Sequence, residues 1–224
     1  MKILSIDGGG VRGLIPGMVI VEIEKRMGKP ISELFDLISG TSAGGHIALA
    51  LATPGKDGKP KWSAPELAAY YREAYGRIFD NSGFKVLDVL KGITSERYSA
   101  DGIDTALNEI FGEVKLSEAL VEVLITAFEV EKGEPHFFLR SEARENPKKD
   151  HLLSFVARAT SAAPTYFEPA AKFNDEEGMA FLDGAVFANN PSMCAFAHAQ
   201  SLGFDEDEMT IISNASCTTN CLAP

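Results

Sequence analysis

No apolar run in this chain approaches the ~20 residues that a helix needs to cross a bilayer. The first residues, MKILSID, reach an acid and a glycine run too soon for a secretory signal. Cysteine is scarce and odd in number: Cys194, Cys217 and Cys221. Three cannot build a disulfide framework, so a reducing compartment is expected, with the cytoplasm as the default location. No cluster of His, Cys or Asp has metal-ligand spacing, and Cys217-x-x-x-Cys221 alone is too little, so no metal and no cofactor are expected. Basic residues are outnumbered, 21 Lys and Arg against 32 Asp and Glu, for a net charge of −11. That balance argues against nucleic acid, whose binding relies on clustered Lys and Arg. It also argues against docking on anionic lipid by charge alone, although a local patch can still serve. Repeats, low-complexity tracts and dividing linkers are lacking too, so the 224 residues, 45% of them hydrophobic, read as one domain with a sizeable core.

What is present alternates. Lys2–Asp7 is a short apolar strand running into Gly8-Gly9-Gly10, and Leu14–Met27 has apolar residues at helical spacing. Phe35–Ser39 reads as a second buried strand, and Gly44–Ala52 as a helix of small residues. Strand, helix, strand, helix within about fifty residues predicts a parallel sheet covered on both faces. Ser63-Ala64-Pro65-Glu66 has the S-x-x-E form of a capping box and starts a helix through Ile78. Farther on, helices are expected over Ser99–Phe111, His151–Ala163 and Pro191–Leu202. Strands are expected over Val121–Val130, Pro135–Arg140, Phe181–Asp183 and Met209–Ser213.

Two glycine clusters carry chemistry. Gly8, Gly10 and Gly13 satisfy G-x-G-x-x-G after a strand and before a helix, which raises a dinucleotide site. That site also wants an acid after the second strand. Here the second strand ends in Gly40-Thr41-Ser42 and Asp36 lies at its start, so the dinucleotide reading fails. Consecutive glycines at a helix N-terminus instead expose N–H groups to an anion or a developing oxyanion. The second cluster, Gly40-Thr41-Ser42-Ala43-Gly44, is a G-x-S-x-G between a strand and a helix, the setting of a nucleophile elbow. Small residues also occur at such junctions for packing alone.

The nucleophile needs a base. His46 lies one helical turn beyond Ser42 and recedes from the hydroxyl. His136 and His151 flank the charged loop SEARENPKKD and look solvated. His198 is a rival, because Ser42…Asp183…His198 has the chain order of an α/β-hydrolase triad. Yet it sits in MCAFAHAQSL, an alanine-rich helix, where a catalytic imidazole is normally offered from a loop. Asp183, in MAFLDGAVFANNP, ends a short apolar strand, and Gly184 and Ala185 let the backbone turn closely behind it. An aspartate there equally caps a turn. Partial burial raises a carboxylate's pKa and makes it a serviceable base.

DGGGVRG at 7–13, GTSAGG at 40–45 and DGA at 183–185 together resemble the signature set of patatin-like phospholipases. ARATSAAPTYFEP at 157–169 and NNP at 189–191 resemble that family's secondary motifs. The resemblance implies a three-layer α/β fold, a mostly parallel central sheet between helices. It also implies a lipid acyl hydrolase with a Ser–Asp dyad and no catalytic histidine. Ser42 then attacks the ester carbonyl and Asp183 takes its proton. The glycine loop (Gly8, Gly9, Gly10, Val11, Arg12) holds the oxyanion through the amides around Gly9, Gly10 and Val11, with Arg12 steadying the loop. Gly40, Thr41, Ala43 and Gly44 form the elbow; Gly184 and Ala185 support the base. The expected partner is a phospholipid or other acyl-ester lipid, with peripheral membrane contact. Residues 54–100 would then lie over the acyl site, and SGFKVLDVLKGI at 82–93 is the place to look for a lid.

The end of the chain departs from this pattern. Residues 213–224, SNASCTTNCLAP, resemble the active-site segment of glyceraldehyde-3-phosphate dehydrogenase, with Cys217 at the nucleophile's position. Neither the dinucleotide domain nor the later histidine which that enzyme needs is recognisable. The expectation is a hydrolase domain over 1–213 and an atypical tail over 214–224, a fusion or an altered terminus. Two rivals remain: a lipid- or nucleotide-responsive module with a vestigial pocket, and a thiol-dependent dehydrogenase fragment, which predicts NAD binding.

Overall fold

The computed structural model describes residues 1–80, 100–164, 166–173 and 178–214. Seven strands form one sheet: β1 (Lys2–Ile6), β2 (Leu37–Gly40), β3 (Glu122–Glu129), β4 (Glu134–Leu139), β5 (Ala170–Phe173), β6 (Gly178–Asp183) and β7 (Thr210–Asn214). Strands β7, β1, β2 and β3 are parallel neighbours, whereas β4 and β6 run antiparallel to β3 and β5 antiparallel to β6. The sheet is therefore mixed, with its parallel half built from the strands the sequence pattern shows most plainly.

The register on β3 sets the geometry of everything that follows. β2 pairs with Glu122–Ile125 and β6 with Ala127–Glu129. β4 spans Leu124–Glu129 and overlaps both, so it holds one edge of β3 alone. Hence β2 and β6 share the other edge. They run toward each other and stop two residues apart, Gly40 opposite Ile125 and Asp183 opposite Ala127.

Alternation along the strands sorts side chains onto two faces. Leu4, Ile6, Ile38, Val123 and Ile125 join a large core with α1 (Leu14–Met27), α2 (Ala43–Ala52), α3 (Ala64–Asp80), α4 (Ala100–Phe111) and α5 (Leu153–Thr160). Ile3 and Leu37 point the other way, onto Ala195 and Ala199 of α6 (Ser192–Ser201). Each fully buried Ile or Leu contributes about 1.5–3 kcal/mol. The Ser63–Glu66 capping box forms: Ser63 N–H and Oγ donate to Glu66 Oε2 at 2.9 and 2.6 Å. All ten residues of α2 are buried, so this alanine- and glycine-rich helix packs directly against the strands. Gly44 makes that possible, since a Cβ there would lie 2.3 Å from Ile6 O. Among the described residues, no helix is long and apolar enough to cross a membrane.

Several boundaries differ from expectation. β5 and the short helix Arg140–Glu145 carry no periodic signal, and the helix expected over His151–Ala163 spans only Leu153–Thr160. His151 is buried and His136 is half-buried, rather than solvated. Their rings stack among Phe138, Phe155 and Phe181 with centroids 4.5–5.6 Å apart. Burial is the main cause lowering both pKa values, that of His151 to about 4. Proximity to a charged loop in sequence misled here, because β4 and the residues just before α5 carry the two rings against the phenylalanines. The amphipathic stretch at 82–93 lies outside the described residues, as do Cys217 and Cys221.

Candidate active site

β2 delivers Ser42 two residues past its end, at the start of α2, with φ 54° and ψ −126°. It is the one non-glycine residue at positive φ among the described residues. Such strain persists where neighbours over-determine the backbone, and they do so here. Thr41 N–H donates to Ile6 O (3.2 Å), Gly44 N–H to Thr41 O (2.9 Å) and Ser42 N–H to Thr160 Oγ1 (2.9 Å). The Thr41 hydroxyl donates to Ala188 O (2.8 Å) and accepts from Thr126 (2.7 Å).

β6 delivers Asp183 from the opposite direction. Its N–H donates to Ala162 O (3.0 Å), and Gly184 N–H donates to Thr160 O (3.3 Å). No side chain fits at Gly184, where a Cβ would lie 2.1 Å from Thr126 Oγ1. The head-to-head strands thus bring Ser42 Oγ to 2.6 Å from Asp183 Oδ2, while Ala185 N–H donates to Oδ1 at 2.8 Å. Asp183 is 4% exposed. Burial raises its pKa to about 6, against the opposing pull of the Ser42 and Ala185 hydrogen bonds. A carboxylate so placed accepts the hydroxyl's proton with far less bias toward the ionised form than one in water.

The glycine loop sits against the serine. A Cβ on Gly8 would lie 3.2 Å from Ser42 Cβ and 2.5 Å from Asn189 Oδ1. Not every amide of the loop is available to a ligand. Gly8 N–H donates to Asn189 O (3.0 Å) and Arg12 N–H to Gly9 O (3.1 Å). The amides of Gly9, Gly10 and Val11 have no acceptor among the described residues. Gly10, at φ 54°, takes the left-handed turn that starts the Gly10–Gly13 helical turn.

Serine, aspartate and loop share the wall of one cavity of about 410 Å3. Tyr71, Ile103, Leu107, Ile110, Tyr166 and Phe167 make its apolar side. The arrangement can hold an uncharged chain beside an activated hydroxyl. The histidines do not complete a triad. His46 is buried, held neutral with a pKa lowered to about 4 chiefly by desolvation, and its Nε2 donates to Ala157 O at 3.0 Å. His198 Nε2 lies 3.1 Å from Glu122 Oε1, at the far end of β3, where Ser141 also donates. No group of three His, Cys, Asp or Glu among the described residues could hold a metal ion.

Thr160 escaped the sequence reading. Its hydroxyl takes the Ser42 amide and its carbonyl takes the Gly184 amide, so one residue ties both halves together. Nothing in the spacing of ARATSAAP marks it, because both bonds are long-range. Thr160→Val keeps the shape and removes the acceptor. The expected result is a loss of about 1–3 kcal/mol in stability from the orphaned amide and a fall in kcat larger than any rise in KM. Thermal unfolding and ester hydrolysis measure the two.

The patatin-like phospholipase family model matches residues 4–195. Patatin-like protein 2 of Oryza sativa subsp. indica is 35% identical, over 93% of this chain and 55% of its own length. Patatin-like protein 2 of Arabidopsis thaliana is 36% identical, over 87% of this chain and 51% of its own. A protein of Solanum tuberosum named probable inactive patatin-3-Kuras 1 is 28% identical over 96% of this chain and 59% of its own. The chain belongs to the patatin-like phospholipase family and spans about half the length of the curated relatives it matches. The likeness of residues 213–224 to glyceraldehyde-3-phosphate dehydrogenase finds no support in these matches, and residues 215–224 lie outside the described residues.

Proposed function

We propose that this member of the patatin-like phospholipase family is a serine acyl hydrolase, acting on phospholipids or related acyl-ester lipids through Ser42 and Asp183. The supporting observation is the 2.6 Å hydrogen bond from Ser42 Oγ to a buried Asp183, on the wall of an apolar cavity. Ser42 Oγ attacks the ester carbonyl as its proton passes to Asp183 Oδ2. The negative oxygen of the tetrahedral intermediate faces the amides of Gly9, Gly10 and Val11. The intermediate collapses, the C–O bond breaks, and the alcohol leaves with the proton from Asp183. Asp183 then takes a proton from water, whose oxygen attacks acyl-Ser42; the acid departs and Ser42 recovers its proton. The scheme uses no metal or cofactor. Residues 1–213 form the hydrolase domain in this reading, with 214–224 as an appended tail. The protein works in the cytoplasm, touching membranes peripherally and not nucleic acid.

A fluorophosphonate probe tests the reading. Intact mass and peptide mapping are expected to show one adduct, on the peptide holding Ser42. A folded protein that takes up no probe overturns it. That outcome favours a vestigial pocket, a reading which the name of the 28%-identical relative makes worth testing.

The pH dependence follows from Asp183, which acts as base only when ionised. Since its pKa is raised to about 6, kcat/KM for a soluble ester is expected to be level above about pH 7. Below pH 6 it should drop about tenfold per unit. A profile level down to pH 4 removes Asp183 from the role.

A further inference from the structure

Helix α4 separates two cavities. On one side Ile103, Ala106, Leu107 and Ile110 line the cavity that holds Ser42, about 410 Å3 in volume. On the other, Asp104, Leu107 and Asn108 face Arg158 and Glu168 across a second cavity of about 410 Å3. Leu107, 2% exposed, is the residue common to both walls. Beside it the partition is completed by Phe167 of the first cavity, whose ring lies 5.5 Å from the Arg158 guanidinium of the second. Arg158 in turn donates to Glu168 O (2.9 Å) and pairs with Asp104 (3.4 Å). The first cavity is apolar on this side, and the second is a more open space in which Phe155, Pro169 and Ala170 share the lining with Asp104, Arg158 and Glu168.

An acyl chain anchored on Ser42 that runs along the α4 side of the cavity meets Leu107, the residue that this wall shares with the second cavity. A space of about 410 Å3 holds about a dozen methylene-sized groups at the ~30 Å3 of a water-sized one. Some of that space goes to the ester itself. We propose that Leu107 is the stop that sets the acyl-chain length accepted at Ser42, with the second cavity as the overflow space behind it. The inference rests on the reading of Ser42 as an acyl-transfer nucleophile. Ile103 and Ile110, one turn to either side on α4, line the first cavity alone, so shortening them widens the channel without opening its end.

The test is a chain-length profile. p-Nitrophenyl esters of 4 to 18 carbons are offered to wild type, Leu107→Ala, Leu107→Phe and Ile103→Val, with circular dichroism and thermal unfolding confirming the fold. Wild type is expected to prefer about 8–12 carbons. In Leu107→Ala the ratio of kcat/KM for the 16-carbon ester over the 10-carbon ester should rise about tenfold or more, the worth of roughly two buried methylenes. Leu107→Phe should lower the 12-over-8 ratio by a similar factor, and Ile103→Val should leave the position of the maximum in place. Unmoved ratios in folded Leu107 variants overturn the proposal; should Leu107→Ala fail to fold, the opposite shift in Leu107→Phe decides. A second measurement needs no turnover: straight-chain fatty acids displacing a fluorescent fatty acid from Ser42→Ala, with and without Leu107→Ala. If wild type neither hydrolyses esters nor takes the fluorophosphonate, the hydrolase reading falls, while the displacement series still judges the stop.

Discussion

Ser42→Ala is expected to reduce ester hydrolysis by about 10^5-fold or more, leaving only what the amides and the cavity supply. Asp183→Asn should cost about 10^2 to 10^4 in kcat, the usual worth of a positioned base, with little change in KM. The two are one unit, so the double variant should be no worse than Ser42→Ala; rates of fluorophosphonate labelling and of ester turnover check this. Asp183→Asn carries a second, opposite expectation. The folded protein holds the Asp183 proton up to about pH 6, whereas the unfolded chain releases it near the ordinary value of 3.8. Between those values the native state binds more protons, so stability falls as pH rises through the window and the penalty is complete above about 6. Removing the carboxylate charge should therefore raise Tm at pH 8 and change it little at pH 4. An inactive variant that melts higher at pH 8 marks a group kept at the fold's expense. One that melts lower there means the hydrogen bonds of Asp183 outweigh its desolvation.

Gly44→Ala is expected to be severely destabilising. Its Cβ would lie 2.3 Å from Ile6 O and 2.6 Å from Asp7 O, and both obstacles are backbone. The helix α2 must move away from β1 to make room, opening the tightest packed layer of the core. A loss of about 3 kcal/mol or more follows, about 6–12 °C in Tm for a domain of this size. Activity should fall with it, because Ser42 lies two residues before the displaced contact. Gly17→Ala is the matched control. A Cβ there meets nothing within 4 Å, and inside α1 alanine should add about 0.5–1 kcal/mol. Equal Tm values for the two variants would show that the close approach is not what glycine serves at position 44.

Local chemistry was legible and long-range geometry was not. The helix at 14–27 and the S-x-x-E start at Ser63 rest on contacts within a few residues, and the strand at 2–6 and the elbow carry local composition signals, so spacing displays them although their partners are distant. The convergence of β2 and β6 on one edge of β3 rests on partners about 50 to 140 residues apart, and periodicity says nothing about it. β5, four residues between an irregular stretch and β6, is a strand only because β6 lies beside it. His136 and His151 are ordinary polar letters beside a charged loop until the sheet folds them inward. That Asn189 O takes the Gly8 amide is likewise invisible in the glycine run, because the two residues are far apart in the chain.

Ser42 and Asp183 are 141 residues apart in the chain, and that separation has a meaning during biosynthesis. At about 5–20 residues per second, a ribosome needs about 7–28 s to travel from the serine to its aspartate. Through that interval the nascent chain holds a hydroxyl without a carboxylate beside it, since first β3 (Glu122–Glu129) and then β6 have still to be made. In the proposed mechanism, a chain not yet made through β6 therefore lacks the base that Ser42 needs. For the proposed dyad, the order of the two residues makes completion of the chain through β6 the arming step.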